Sequence, residues 1–354
     1  MLWFVLLFAG TGLSAYALIR VLYPGHRLAA VTGALFYMFN PYYMIVRWGA
    51  LNLWPFFYAF LPLMLALFIL LIRSGRLRYL IAFLIVGVVV SPSHANLGSV
   101  VILAIALGGY LVVYLVQNRR AREKVRLALL YTLILAVLFL GISMWWVLPS
   151  ITSLQAEASS RLEPGTTMEV VEWSSEYSTW HRVLRLQGYQ GVEGEYLGSD
   201  DPVTPYAEDY YTPLTWILGW MIPALAIAGL WKVRRNPGLV WPAILWVAGV
   251  FLMKGIQPPL GGIARWMYQT IPGMSVFRVP YDKFGMLAVL GLAPLVGAGM
   301  EGLYRFSASL VKRKPWREVI AATALVVVAV LLLGVLVWPL WSGDAIYGGG
   351  STMP

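Results

Sequence analysis

LGSVVILAIALGGYLVVYLV (residues 97–116) runs into QNRRAREKVR (117–126) and then LALLYTLILAVLFLGISMWWVLP (127–149). The two flanking runs carry no charge, whereas the ten residues between them hold Arg119, Arg120, Arg122, Lys124 and Arg126. An apolar run of about 20 residues crosses the hydrocarbon core as a helix. Lys and Arg collect in cytoplasmic loops. The stretch therefore predicts a membrane-spanning helical hairpin with its turn in the cytoplasm.

Reading outward gives ten candidate spans: 1–22, 28–46, 51–72, 79–93, 97–116, 127–149, 212–231, 239–253, 284–304 and 318–340. The fourth and eighth are short. The composition agrees, with 60% apolar and 12% charged residues in 354, against about 45–50% and about 25% in soluble domains. A soluble enzyme, a disordered chain and a disulfide scaffold are excluded. Open sheets leave backbone groups unpaired in lipid, so the expected class is all-α, a polytopic membrane protein of about ten helices with one long extracytoplasmic loop. The net charge of +10 reflects topology and not nucleic acid, because basic residues lie between apolar runs. Without cysteine, and with only His26, His94 and His181, no thiolate or zinc constellation is present.

Orientation follows from alternating loops. Those containing Arg20 and Arg27, Arg73 to Arg78, Arg119 to Arg126, Lys232 to Arg235 and Arg305 to Arg317 hold 18 of 26 basic residues and 3 of 16 acids. That side is predicted cytoplasmic. Residues 1–149 then form a first bundle, 150–211 an extracytoplasmic loop, 212–340 a second bundle with an interfacial segment at 254–283, and 341–354 a linker. Both ends fall outside. With no signal peptide and a Gly348-Gly349-Gly350 linker, the chain reads as a fragment of something longer.

Loop 150–211 carries 11 acidic residues against Arg161, Arg182 and Arg185. In its middle, Trp173, Trp180 and His181 interleave with polar groups. Aromatic faces stack on sugar rings and carboxylates accept sugar hydroxyls, so carbohydrate contact is one reading. A small cap with its own aromatic core is the other. The acid pairs Asp200-Asp201, Glu208-Asp209 and Glu193-x-Glu195 could hold a divalent cation, although adjacent loop acids commonly bind none. No cofactor is identified.

Ionisable groups at membrane depth are functional candidates. His94, in Ser91-Pro92-Ser93-His94-Ala95-Asn96, is expected in a hairpin turn sunk below the outer surface, as a substrate contact or a hydrogen-bonded turn residue. Arg47 follows the Asn40-Pro41 break and suits a phosphate or a headgroup. Arg278 and Lys283, in Phe277-Arg278-Val279-Pro280-Tyr281-Asp282-Lys283, suit an anionic headgroup at a helix start, unless Asp282 pairs with them. Arg265 and Trp266 lie in an amphipathic run, 263–268, expected to form an interfacial helix. Ala293-xxx-Gly297 and Ala298-xxx-Gly302 indicate close helix packing. Among substrate-type motifs there is no Walker loop, dinucleotide glycine pattern or hydrolase serine elbow.

Ala34-Leu-Phe-Tyr-Met-Phe-Asn-Pro-Tyr42, the Leu/Pro-rich helix 51–72, the Ser91–Asn96 turn and Phe277-Arg278-Val279-Pro280 together resemble the C-type-fold polytopic glycosyltransferases, particularly the YfhO-like and arabinofuranosyltransferase-related proteins. The resemblance implies an inverting transfer from a polyprenyl-phosphate-linked sugar to a glycan acceptor at the extracytoplasmic face, for cell-envelope glycan or glycoprotein assembly. It also implies a first helix and catalytic acid upstream of Met1. No Asp or Glu precedes Glu123, so the catalytic residue is unknown. Expected partners are the polyprenyl-phosphate sugar, the acceptor and membrane lipids. The alternatives are a non-enzymatic lipid or polysaccharide translocation or assembly protein and, less favoured, a solute transporter.

Overall fold

The computed structural model describes residues 2–48, 54–94, 97–158, 164–189, 195–196, 199–202, 212–311 and 314–342. Its axis is α13 (Pro280–Ser309), which starts with Pro280 in its first turn and Asp282 near the positive end of the helix dipole. Its apolar run is rich in Gly and Ala, and nearly every residue from Pro280 to Glu301 is buried. The helices packed on it most extensively are α2 (Arg27–Met38), α10 (Met221–Leu230) and α11 (Val240–Met253). Glycine makes each approach possible. A Cβ at Gly297 would stand 2.1 Å from the Ala29 carbonyl oxygen, one at Gly299 would stand 2.1 Å from that of Leu225, and one at Gly291 2.5 Å from that of Pro242. Gly302 meets only Lys232 Cε, at 4.0 Å. The Ala293-to-Gly297 motif therefore packs backbone on backbone, whereas Gly302 does not.

Around this core, α1 (Leu2–Leu22) packs on α2 and α3 (Trp54–Ser74), and α3 packs on α4 (Leu77–His94). Outside them lie α5 (Leu97–Gln117), α6 (Arg122–Ala158) and α14 (Lys314–Val330). Leu133 and Val137 on α6, and Val326 and Val330 on α14, are exposed, as lipid-facing positions must be. The remaining elements are α7 (Pro164–Ser175), α8 (Trp180–Leu184), α9 (Pro213–Gly219), α12 (Gly261–Thr270), α15 (Trp338–Ser342) and one antiparallel hairpin of β1 (Glu195–Tyr196) and β2 (Ser199–Pro202). The fold is all-α in architecture, a polytopic helical membrane protein.

Eight helical segments are long and apolar enough to cross a membrane among the described residues, with 237–253 as a shorter one. The ten-span reading differs at 28–46 and at the turn expected around His94, whereas the span read as short at 239–253 is short in the structure. The span expected at 28–46 stops after 12 residues. There the Asn40 amide turns back to donate to the Phe36 and Tyr37 carbonyls, and its oxygen accepts from the Tyr43 N–H. Beyond Pro41, which has no N–H to give, the chain winds into a π-helical turn, Tyr43–Trp48. The span at 239–253 is the 14-residue α11, roughly 21 Å long at 1.5 Å per residue. Conversely, α4 continues through Pro92 to His94, giving 18 residues. His94 is thus helical and not in a turn; residues 95–96 lie outside the described residues.

The basic loops meet at one end of the bundle. Arg73 donates to the Val21 carbonyl, Gln117 to the Pro237 carbonyl, and His26 bonds Glu301 at 2.9 Å. Glu301 is buried and also bonds Arg305. The segregation of charge read from the sequence is therefore a spatial one.

Candidate functional site

At the opposite end, the long hydrophilic segment folds back on the bundle. Ser174, near the end of α7, donates to the Arg278 carbonyl at 2.9 Å. The Ile256 N–H reaches Ser175 Oγ at 3.5 Å, and Gln257 donates to the Glu176 carbonyl at 3.3 Å. Gly255 allows this seam to close: its φ is +59° and a Cβ there would lie 2.1 Å from Ser175 Oγ. Arg265 on α12 pairs with Glu172 at 2.7 Å, so the amphipathic run does form a helix, with its cation turned to α7. Ser178 donates to the Gly188 carbonyl, closing the α7–α8 unit. Tyr189 then brings its ring 6.0 Å from Tyr281 in the first turn of α13.

Tyr281 connects this cover to a buried tyrosine cluster. Its ring lies 5.9 Å from that of Tyr42, whose hydroxyl donates to the Asp282 carbonyl at 2.6 Å. Below, the Tyr37 and Tyr58 rings stack at 4.3 Å and each hydroxyl donates to the other's carbonyl. Asn40 adds a bond to the Tyr58 hydroxyl. Buried polar groups need such partners. Here the network also fixes the break that ends α2 beneath the mouth of the bundle.

A second group centres on Arg185, which is buried. It donates to the His181 and Trp216 carbonyls at 3.0 and 3.2 Å. Its guanidinium lies 5.0 and 5.8 Å from the Trp216 and Trp220 ring centres, within cation–π range. Trp180 stands 6.2 Å from Trp220 and is half exposed, so one aromatic face remains open above the cluster. Burial, with Arg185 and Arg182 nearby, holds the His181 imidazole below its usual 6.5. The folded state thus binds fewer protons than the unfolded chain, and stability falls as pH drops through and below 6.5. Protection against hydrogen exchange across 171–189, taken relative to the intrinsic amide rate at each pH, should fall between pH 7.5 and 5.5, and His181→Gln should flatten that dependence. An unchanged pH response in the variant would contradict this assignment.

The seven sequence-derived residues fall into four places. Trp173 and Arg278 border the α7 seam; Arg278 is exposed, and Lys283 pairs with Asp282 at 2.9 Å. Trp180 and His181 join the Arg185 cluster. His94 sits apart, fully buried, its ring 5.7, 5.6 and 6.1 Å from Phe57, Phe139 and Trp146. Its Nδ1 lies 3.2 Å from Ser99 Oγ. Arg47 lies in the π-helical turn, with its side chain outside the described residues. The acid pairs at 193–195, 200–201 and 208–209 likewise lie outside the described side chains. Among the described residues, no three His, Asp or Glu come together as a metal site.

Three contributors escaped the sequence reading. In the sequence Arg185 reads only as one of the loop's charges, and the signal for Trp220 is its i, i+4 spacing from Trp216. Lys254 closes α11 and is buried, donating to the Gln257 carbonyl. Burial pushes its ammonium below the usual lysine range. A lone lysine directly after an apolar helix was the available signal.

Residues 1–349 match a family described as a family of unknown function, DUF6541. No curated protein and no solved structure matches the chain.

Proposed function

The chain belongs to the DUF6541 family, whose function is unknown, and from its own residues we propose a membrane glycosyltransferase module that uses a polyprenyl-phosphate-linked sugar at the extracytoplasmic face. The observation that supports this reading is the seam between α7 and residues 255–278, which sets an aromatic, acidic cover over the end of the bundle carrying Arg278 and Lys283. A phosphate between these cations gains charge-assisted hydrogen bonds. The sugar it carries would then extend beneath Trp173 and Trp180, whose faces suit a pyranose or furanose ring. In the reaction the acceptor hydroxyl attacks the anomeric carbon and loses its proton to a base. The bond from that carbon to the phosphate oxygen breaks, and polyprenyl phosphate leaves with its electron pair, its charge offset by the cations. The base is not assigned to any residue of this chain.

A second reading, a translocation or assembly protein that binds the same lipid without transferring its sugar, draws on the Asp282–Lys283 pair. The acid beside the proposed phosphate is already bound to a cation and is poorly placed to act as a base. Two measurements separate the readings. Polyprenyl phosphate should raise the melting temperature of the solubilised protein, and polyprenol of equal length should not. Release of polyprenyl phosphate from a sugar-loaded donor in the presence of an acceptor glycan would then mark the enzyme. Equal stabilisation by both lipids would remove both readings.

The orientation belongs to the same proposal. With no native cysteine, Glu176→Cys, at an exposed position, should react with an impermeant maleimide in intact cells, and Gln117→Cys should not. Ser175 is fully buried and would be a poor reporter. Labelling in the reverse sense would invert the topology and place the seam in the cytoplasm.

A further inference from the structure

At the basic end, far from the α7 seam in the chain's up-and-down course, a cavity of 420 Å³ opens between the end of α3 and the turn joining α5 to α6. Arg73, Lys124, Tyr114, Tyr131, Gln117 and Asn118 line it, and among the described residues no carboxylate does. Arg73 is not a loose surface side chain. Its Nε donates to the Tyr110 hydroxyl at 2.9 Å and its Nη1 to the Val21 carbonyl at 3.1 Å, so the guanidinium is held in one orientation by two other helices. Neither Arg73 nor Lys124 pairs with an acid among the described residues. Gly75, with φ +65°, turns the chain there, and a Cβ on it would stand 2.7 Å from the Tyr131 hydroxyl. Any side chain at 75 would intrude on this wall.

The cavity opens beside exposed apolar residues of α6. Leu127 forms part of its lining, and on the same helix Leu130 and Leu133 are exposed. One fixed guanidinium, one exposed ammonium, two phenols and two amides thus sit where an apolar helix face leaves the bilayer. A basic pocket between helices at a membrane boundary suits an anionic headgroup, whose acyl chains can follow the helix. We propose that this cavity binds a phosphate ester, with an anionic phospholipid of the adjacent leaflet as one source and a soluble phosphate monoester as the other. The site is separate from the proposed sugar-lipid site, and neither depends on the other.

The absence of native cysteine supplies the test. Ser74→Cys places one thiol on the cavity wall, and its rate of reaction with N-ethylmaleimide is read in nanodiscs. In phosphatidylglycerol discs the rate should fall about tenfold relative to phosphatidylcholine discs, the scale of one charged hydrogen bond. Protection by glycerol phosphate added to phosphatidylcholine discs would identify the soluble source, and protection by phosphatidylglycerol alone the lipid. Lys124→Gln, an exposed position whose change leaves the Arg73 contacts intact, should abolish either protection. Equal rates in every condition, or protection that survives Lys124→Gln as a general surface-charge effect, would overturn the site.

Discussion

Gly297→Leu is expected to prevent recovery of a folded, monodisperse protein. The Cβ alone would stand 2.1 Å from the Ala29 carbonyl oxygen and 3.2 Å from Gly33 Cα. These are backbone atoms of α2, with no side chain that can rotate away. Relief requires α2 and α13 to separate, and α2 is only 12 residues long and tied at its far end by the Asn40 network. Overpacking in a tight core costs about 1–3 kcal/mol when neighbours can shift; this interface has less freedom. Even Gly297→Ala should lower the melting temperature clearly in detergent. Gly302→Ala, where the nearest atom lies 4.0 Å away, should be neutral or slightly stabilising, since alanine favours the helix. Equal melting temperatures for Gly297→Ala and Gly302→Ala would contradict the packing described.

Replacing both cations, Arg278→Gln with Lys283→Gln, is expected to weaken polyprenyl-phosphate binding by about 1.5–3 kcal/mol for each charged hydrogen bond lost. That corresponds to roughly tenfold to a hundredfold per bond. The fold should survive. Ser174 grips the Arg278 carbonyl and not its side chain, so that bond does not depend on the charge of either residue replaced. The contact between α7 and α13 therefore remains, which exchange protection across 171–178 would report. Unaltered affinity in a correctly folded double variant would exclude the two cations as the phosphate contact.

The hairpin of α5 and α6 was legible because apolar length and basic turns are strong, local signals. The separation of charge to one end followed from the same signal. The span at 28–46 failed for a local reason as well: Asn40 followed by Pro41 is a visible break, but only the folded chain shows the amide bonding backward and ending the helix. His94 misled in the opposite direction. Ser91-Pro92-Ser93 reads as a turn, yet packing against Phe57, Phe139 and Trp146 carries the helix through it. The two small-residue motifs in α13 look alike in sequence and differ by which neighbour faces them. The seam of the candidate site was least legible. Arg278 and Trp173 stand out as residue types, but Ser174 and Gly255, which bring them to one surface, are unremarkable until the two segments meet.

The binding of a lipid-linked phosphate beneath the α7 seam is tested most directly by photo-crosslinking. Polyprenyl phosphate bearing a diazirine is incorporated in nanodiscs with the protein, irradiated, and the adducts are mapped by peptide mass spectrometry. Adducts are expected within 171–189 and 274–283, competed by unlabelled polyprenyl phosphate and not by polyprenol. Adducts confined to the lipid-facing surfaces of α6 and α14, or competed equally by polyprenol, would contradict it.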